Sequence, residues 1–276
     1  LSFKTKMHAV SNEVLDGMLR AVSEAEANFK ALILWQTEPP FSAGAHLLQL
    51  MQGVKEVSSQ PAGMFDKLKG AAQRVKFTVA GGGGIGQILN AATGNVPRVE
   101  EVVAKFQQVS MRLKYSSVPT IAAVDGLALG GGCEFSIHCS RIVATLESYI
   151  GLVEVGVGLI PGGGGLAYIA RRAAEMAAAG NANADIFAFV KDGFTSAAMA
   201  KVGTSAIESR KLGYLIDGDV IVPHKDELLY VATQQAKAMF AAGYRPPVKR
   251  LFPVAGRSGI ATIKGQLANM RDGGFI

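Results

Sequence analysis

The chain has 276 residues, 49% of them hydrophobic and 18% charged, with a mean hydropathy of +0.25. That composition supports a large buried core and excludes an intrinsically disordered protein. Apolar stretches are interrupted by glycine, proline or polar residues before about 20 positions accumulate, so neither a membrane span nor a secretory leader is expected. Cys133 and Cys139 are too few for a disulfide scaffold and lack metal-ligand spacing, which points to a reducing, cytoplasmic setting and no bound metal. The net charge of +6 gathers near the end: Arg245, Lys249, Arg250, Arg257, Lys264 and Arg271 stand against Asp272 alone after residue 240. An acidic partner surface or ligand is plausible there, but without aromatic interleaving or a zinc-knuckle pattern nucleic acid is not.

The chain opens at Leu1 without methionine and reads as part of something longer, its residues 1–6 as the end of a strand. Ser11 is a candidate N-cap for a helix with apolar positions at Val14, Leu15, Met18, Leu19 and Val22, leading to a buried strand over Ala31–Trp35. After the turn-like residues 41–46, a helical pattern runs from Leu47 to Val54. Residues 58–95 are rich in Gly, Ala and Ser and read as a variable excursion. Helical spacing returns over Val99–Tyr115, followed by a strand over Thr120–Val124 closed by Asp125-Gly126. A strand over Arg141–Leu146 and helices near 165–178, 204–212 and 223–242 follow; Pro246, Pro247 and Pro253 make the start of the tail irregular.

Glycine, at 33 residues, is concentrated in three runs. Gly81, Gly83 and Gly86 fit the dinucleotide-binding pattern G-x-G-x-x-G, but the expected acidic residue does not end a second strand; Thr93–Arg98 before Glu100 reads as a turn. The second run, Gly130-Gly131-Gly132, follows a buried strand and precedes a helix start, where bare N–H groups and the helix dipole can hold an oxygen that becomes negative. Glu134 lies one turn into that helix. The third run, Gly162 to Gly165, comes shortly after Glu154, the single charge between Ile150 and Leu159. Tight helix packing would explain the glycines equally well, but two carboxyl groups in one apolar pocket cannot both ionise cheaply, which makes one an acid and the other a base.

Phe41–Ala45, Ala123–Glu134, and Glu154 with Ile160-Pro161-Gly162 resemble, in order and spacing, the crotonase superfamily and within it the enoyl-CoA hydratases. Residues 110–115 and 147–154 are similar to the bacterial subgroup in which a hydratase part is joined to a 3-hydroxyacyl-CoA dehydrogenase. The resemblance implies an α/β fold, a crotonase-like spiral of ββα units with a C-terminal helical region. It divides the chain into a core over 1–222 and a C-terminal helix with a basic tail over 223–276. It also implies an oxyanion hole from the N–H groups of Ala45 and Gly131, with Glu134 activating water, Glu154 supplying a proton and Gly162 helping to hold the water. Ala43, Ala45, Leu47, Leu129 and Gly131 would contact the substrate. Coenzyme A would be part of the acyl-CoA substrate, with no covalently bound cofactor, and the assembly a homotrimer with a fused or adjacent dehydrogenase. His46 departs from the Asp or Asn common at its position. Isomerisation of the double bond, needing only Glu154, and a non-catalytic acyl-CoA-binding module are the competing readings.

Overall fold

The computed structural model describes residues 1–46, 96–180 and 185–274. The expected helix after Leu47, the excursion over 58–95 and the G-x-G-x-x-G run lie outside the described residues.

Helix α1 (Asn12–Asn28) begins where expected, with Ser11 Oγ accepting the Val14 N–H at 3.3 Å. Its buried Leu15, Met18, Val22 and Ala25 follow the helical period. Strand β1 (Leu32–Trp35) then joins β2 (Thr120–Val124), β4 (Arg141–Thr145) and β6 (Val220–Val222) in an all-parallel sheet of order β1-β2-β4-β6. Alternation on β2 divides the core. Ala122 and Val124 face Leu15, Leu34, Leu113 and Phe135, whereas Ile121 and Ala123 face Val143, Leu228 and Ala232. The first group packs under α1, under α2 (Val96–Lys114) and under α3 (Gly131–His138); the second packs under α7 (Leu228–Ala241). A second, smaller sheet pairs β3 (Leu127–Leu129) with β5 (Tyr149–Gly151), again parallel.

The chain therefore repeats one unit: β2, β3 and α3, then β4, β5 and α4 (Gly165–Gly180). Each unit gives one strand to each sheet and a helix to cover them, the ββα spiral that the resemblance implied. Beyond it lie α5 (Ile186–Ala198), α6 (Ala206–Lys211) and, after an irregular stretch, α8 (Gly256–Asp272).

Several expectations change. Residues 1–6 do not form a strand: Leu1 pairs with the edge of β1, donating to Ile33 O at 2.8 Å and accepting the Trp35 N–H at 3.0 Å. The chain then turns away through a short helical turn at Lys6–His8. Helix α5, strand β6 and helix α8 were not expected. Glycine and phenylalanine within α5, three residues in β6 and the glycines of α8 obscured the period in each case.

Candidate active site

The site is built at the point where β3 ends. Gly130 has φ +51°, a conformation that costs other residues a Cβ clash, and a Cβ there would stand 3.3 Å from Glu154 Oε1. Helix α3 starts on the next residue and all eight of its residues are buried. Its first N–H groups have no carbonyl inside the helix to bind, and the positive end of the helix dipole adds to their field.

A second backbone segment is brought alongside. Ser42 extends the small sheet, donating to Leu127 O at 2.9 Å and accepting from Leu129 N at 3.0 Å. Gly44, at φ +93°, carries the chain past β3 so closely that a Cβ would stand 2.8 Å from Leu129 O and 3.6 Å from Gly131 N. Val10 bridges Ala45 through the neighbouring groups, donating to Gly44 O at 2.8 Å and accepting from His46 N at 2.9 Å. In a parallel bridge of this kind the middle residue's own N–H points to the other side. Ala45 N accordingly lies on the Gly131 side, 3.7 Å from where a Cβ on Gly131 would stand. Two N–H groups, of Ala45 and Gly131, are thus brought together at the helix start.

Glu134 is 3% exposed, and its Oε1 accepts the Gly165 N–H at 2.8 Å. The N–H groups of Gly163 and Gly164 also favour its charged form, but burial outweighs them and pushes its pKa up to about 7. Glu154 opens a single helical turn, Glu154–Val157, just after β5. Both of its carboxyl oxygens are buried without a well-formed hydrogen bond among the described residues, though the Val153 N–H and its own N–H favour the charged form. Burial, and then the charge of Glu134, push its pKa up to about 7 as well. His138, one helical turn after Glu134, donates its Nδ1–H to Glu134 O at 2.6 Å, and burial pushes its pKa down to about 4, so the ring is neutral.

Among the residues expected from the sequence, the structure brings together Ala45, Gly131, Glu134 and Glu154. Gly162 sits in the glycine turn with its carbonyl accepting from Gln107 Nε2 at 2.8 Å, while the N–H groups that reach Glu134 belong to Gly163, Gly164 and Gly165. The Ala43 N–H is engaged by Met7 O at 3.1 Å and the Leu129 N–H by Ser42 O. Leu47 lies outside the described residues. Phe106, Gln107, Ser110 and His138 also shape the site, and sequence reasoning passed over them. A polar pair, Gln107 and Ser110, beside Phe106 on an otherwise periodic helix was the available signal.

A cavity of about 270 Å³ lies at the other end of α3, lined by Lys114, His138, Tyr168, Arg171, Asp219 and Tyr244 among others, and neither glutamate reaches it. No cluster of three metal-ligating side chains occurs among the described residues. No described helix is long and apolar enough to cross a membrane.

Residues 80–184 match the family model described as enoyl-CoA hydratase/isomerase. Solved structures share the fold. A 1.8 Å enoyl-CoA hydratase from Bacillus anthracis aligns with TM-score 0.56 at 21% identity, over 86% of this chain and 69% of that one. An enoyl-CoA hydratase from Polaromonas sp. JS666 aligns with TM-score 0.59 at 18% identity, over 87% and 72%. The chain has the crotonase fold, and its central segment matches the enoyl-CoA hydratase/isomerase family. A probable 3-hydroxyacyl-CoA dehydrogenase of Bacillus subtilis is 31% identical over 281 residues, covering 100% of this chain and 30% of the relative. A putative fatty acid oxidation complex trifunctional enzyme of Rickettsia felis is 33% identical over 59% of this chain and 17% of its own length. Mouse mitochondrial methylglutaconyl-CoA hydratase is 49% identical over 63 residues, 23% of this chain and 20% of that protein. The chain therefore spans less than a third of the length of the dehydrogenase and trifunctional relatives it matches.

Proposed function

We propose that this chain hydrates trans-2-enoyl-CoA thioesters to 3-hydroxyacyl-CoA, as a step of fatty acid β-oxidation. The observation that carries the reading is the pair Glu134 and Glu154, the first buried and the second half-buried with both carboxyl oxygens out of solvent, each raised to about 7, beside the N–H groups of Ala45 and Gly131. The thioester carbonyl accepts from both N–H groups, and charge that builds on its oxygen as water adds is stabilised there. A single donor of this kind contributes roughly 3–4 kcal/mol to the transition state. Ionised Glu134 takes a proton from the water whose oxygen bonds to C3, and protonated Glu154 gives its proton to C2, so the elements of water are added without net proton change. Two correctly placed acid–base groups contribute on the order of 10²–10⁴ each. Isomerisation would need only one of these carboxyl groups, and the presence of two in one pocket favours hydration.

Coenzyme A enters as the carrier of the acyl group, and no covalently bound cofactor takes part. The names of the Bacillus and Rickettsia relatives support a working form joined or adjacent to a 3-hydroxyacyl-CoA dehydrogenase part. A cytoplasmic homotrimer is the form we propose for it. The role proposed for this segment uses no nicotinamide chemistry, in keeping with a G-x-G-x-x-G run that lacks its acidic follower.

The deciding experiment mixes purified protein with crotonyl-CoA and follows loss of the conjugated enoyl-thioester absorbance, beside Glu134→Gln and Glu154→Gln. Loss in the wild type and not in the variants supports the reading. Binding of crotonyl-CoA without loss, together with conversion of a 3-enoyl-CoA, would transfer it to isomerisation; binding with neither reaction would leave an acyl-CoA-binding module.

A further inference from the structure

Helix α2 runs behind the glycine turn and grips it by two consecutive carbonyls. Gln107 Nε2 donates to Gly162 O at 2.8 Å, and Ser110 Oγ donates to Gly163 O at 2.6 Å. Ser110 is 0% exposed, so its hydroxyl has no water to exchange with. Phe106, a helical turn before Ser110, stacks on Phe135 at a centroid distance of 5.5 Å. It also lies 3.3 Å from where a Cβ on Gly163 would stand. One patch of α2 therefore touches both the helix start and the glycine turn.

In a trans peptide the C=O and the following N–H point in opposite directions. Holding Gly162 O from the α2 side therefore turns the Gly163 N–H away from α2, and holding Gly163 O does the same for the Gly164 N–H. Gly163 lies against Glu134 Oε2, and these two N–H groups favour the charged carboxylate; the Gly165 N–H, which bonds Oε1 at 2.8 Å, is fixed as that of the first residue of α4. Without side chains of their own, the glycines between Pro161 and α4 have little else to select one peptide orientation.

We propose that Ser110 and Gln107 are positioning residues: by anchoring the Gly163 and Gly162 carbonyls they aim the Gly164 and Gly163 N–H groups at Glu134, keeping it the ionised member of the pair. The inference deepens the hydratase reading and rests on Glu134 being its base. The titratable groups that face Glu134 are Glu154 across the site, and Cys133 and His138 on α3; α2 presents the uncharged Phe106, Gln107 and Ser110, and α4 its Gly165 N–H. The charge on Glu134 is thus governed by burial, Glu154 and the glycine N–H groups.

The test compares wild type, Ser110→Ala, Gln107→Ala and Ser110→Thr. Two readouts are used: kcat/KM for crotonyl-CoA against pH, and titration of the Glu134 carboxyl by carbon-13 NMR on glutamate-labelled protein, with Glu134→Gln assigning the signal. Removing either anchor takes well-aimed donors from the charged form, so the Glu134 midpoint and the acid limb of kcat/KM move up by about 0.5–1 pH unit, while KM changes little. Ser110→Thr, which keeps the hydroxyl, returns the midpoint to the wild-type value. A midpoint unmoved in both alanine variants, with activity lowered evenly across pH, would overturn the proposal and leave the two residues as packing. Gln107 is exposed, so Gln107→Ala decides the matter even where Ser110→Ala fails to fold. Because the NMR titration needs no turnover, a wild type inactive on crotonyl-CoA would refute the hydratase reading while the anchoring is still judged by the Glu134 midpoint.

Discussion

Glu134 and Glu154 lie close enough for the charge of Glu134 to raise Glu154, yet their donors differ: Glu134 Oε1 accepts the Gly165 N–H at 2.8 Å with the Gly163 and Gly164 N–H groups also favouring its charge, whereas among the described residues Glu154 has only the N–H groups of Val153 and of its own residue. Burial raises both carboxyl groups, the charge of Glu134 adds to the rise at Glu154, and each reaches about 7. Near neutral pH the pair therefore holds about one proton, and the glycine N–H groups favour the charge on Glu134. This asymmetry supports the proposed division of the pair into a base, Glu134, and an acid, Glu154.

A bell-shaped pH dependence of kcat/KM follows, with both limbs near 7 and belonging to the pair rather than to either residue. Replacing Glu154 with Gln removes the proton donor and lowers the rate about 10²–10⁴-fold. The remaining activity loses its alkaline limb, and its acid limb moves to lower pH because Glu134 no longer ionises beside a second carboxylate. Crotonyl-CoA hydration measured from pH 5 to 9 checks this; an alkaline limb that persists unchanged in Glu154→Gln would assign it to another group.

The same burial makes a stability prediction with a definite sign. Glu154 titrates near 7 in the folded protein and near 4.5 when unfolded, so the folded state binds more protons between those values. Stability associated with the neutral carboxyl is fully present below pH 4.5 and is lost as pH rises through 7. Glu154→Gln carries no such charge. Its stability relative to wild type should grow between pH 4.5 and 7 by on the order of 1–3 kcal/mol and then level off, as read from urea unfolding at several pH values.

Gly131 is where the packing and the chemistry are hardest to separate. A Cβ at this position would meet Phe106 Cε1 at 2.7 Å, and Phe106 is held by its stack on Phe135. Gly131→Ala should therefore displace the start of α3 and lower kcat by roughly 10²–10³-fold through loss of one oxyanion donor. If the displaced ring is the cause, Phe106→Leu in the same chain should recover part of the rate, which steady-state kinetics on the double variant would show.

Much of this arrangement was legible before the fold was seen, because glycine and glutamate in an apolar setting carry their chemistry in their spacing. Gly130–Gly132 followed by Glu134 indicated a helix start beside a carboxyl group, and α3 begins at Gly131 with Glu134 buried in it. The strand at Thr120–Val124 was equally plain, since an uninterrupted apolar run between Pro119 and Asp125-Gly126 fits a strand buried on both faces. What could not be read were contacts between segments distant in sequence. Ser110 and Gly163 are 53 residues apart, and nothing local to Ser110 marks it as more than one polar residue on a helix. Strand β6 was missed for a related reason: its three residues gain their partners from β4, some 77 positions earlier at Val143↔Val220.

That long-range junction supports the last prediction. Asp219, just before β6, is 8% exposed and spans two segments, with Oδ1 accepting the Ile142 N–H of β4 at 2.7 Å and Oδ2 the Ile216 N–H at 2.7 Å. Its carbonyl accepts from Arg210 Nη2 at 2.8 Å, which ties the same corner to α6. Asp219→Ala would leave the buried Ile142 N–H without an acceptor at the point where β6 joins the sheet. An unsatisfied donor next to a lost charge-assisted bond costs about 2–4 kcal/mol, enough to lower the Tm by several degrees. Asp219→Asn keeps one carbonyl oxygen, so it can still accept from Ile142 or from Ile216 but not from both, and its loss should fall between wild type and alanine. Urea unfolding of the three proteins gives the order directly; equal stability of Asp219→Ala and wild type would mean that β6 is held by its ladder with β4 and not by this carboxylate.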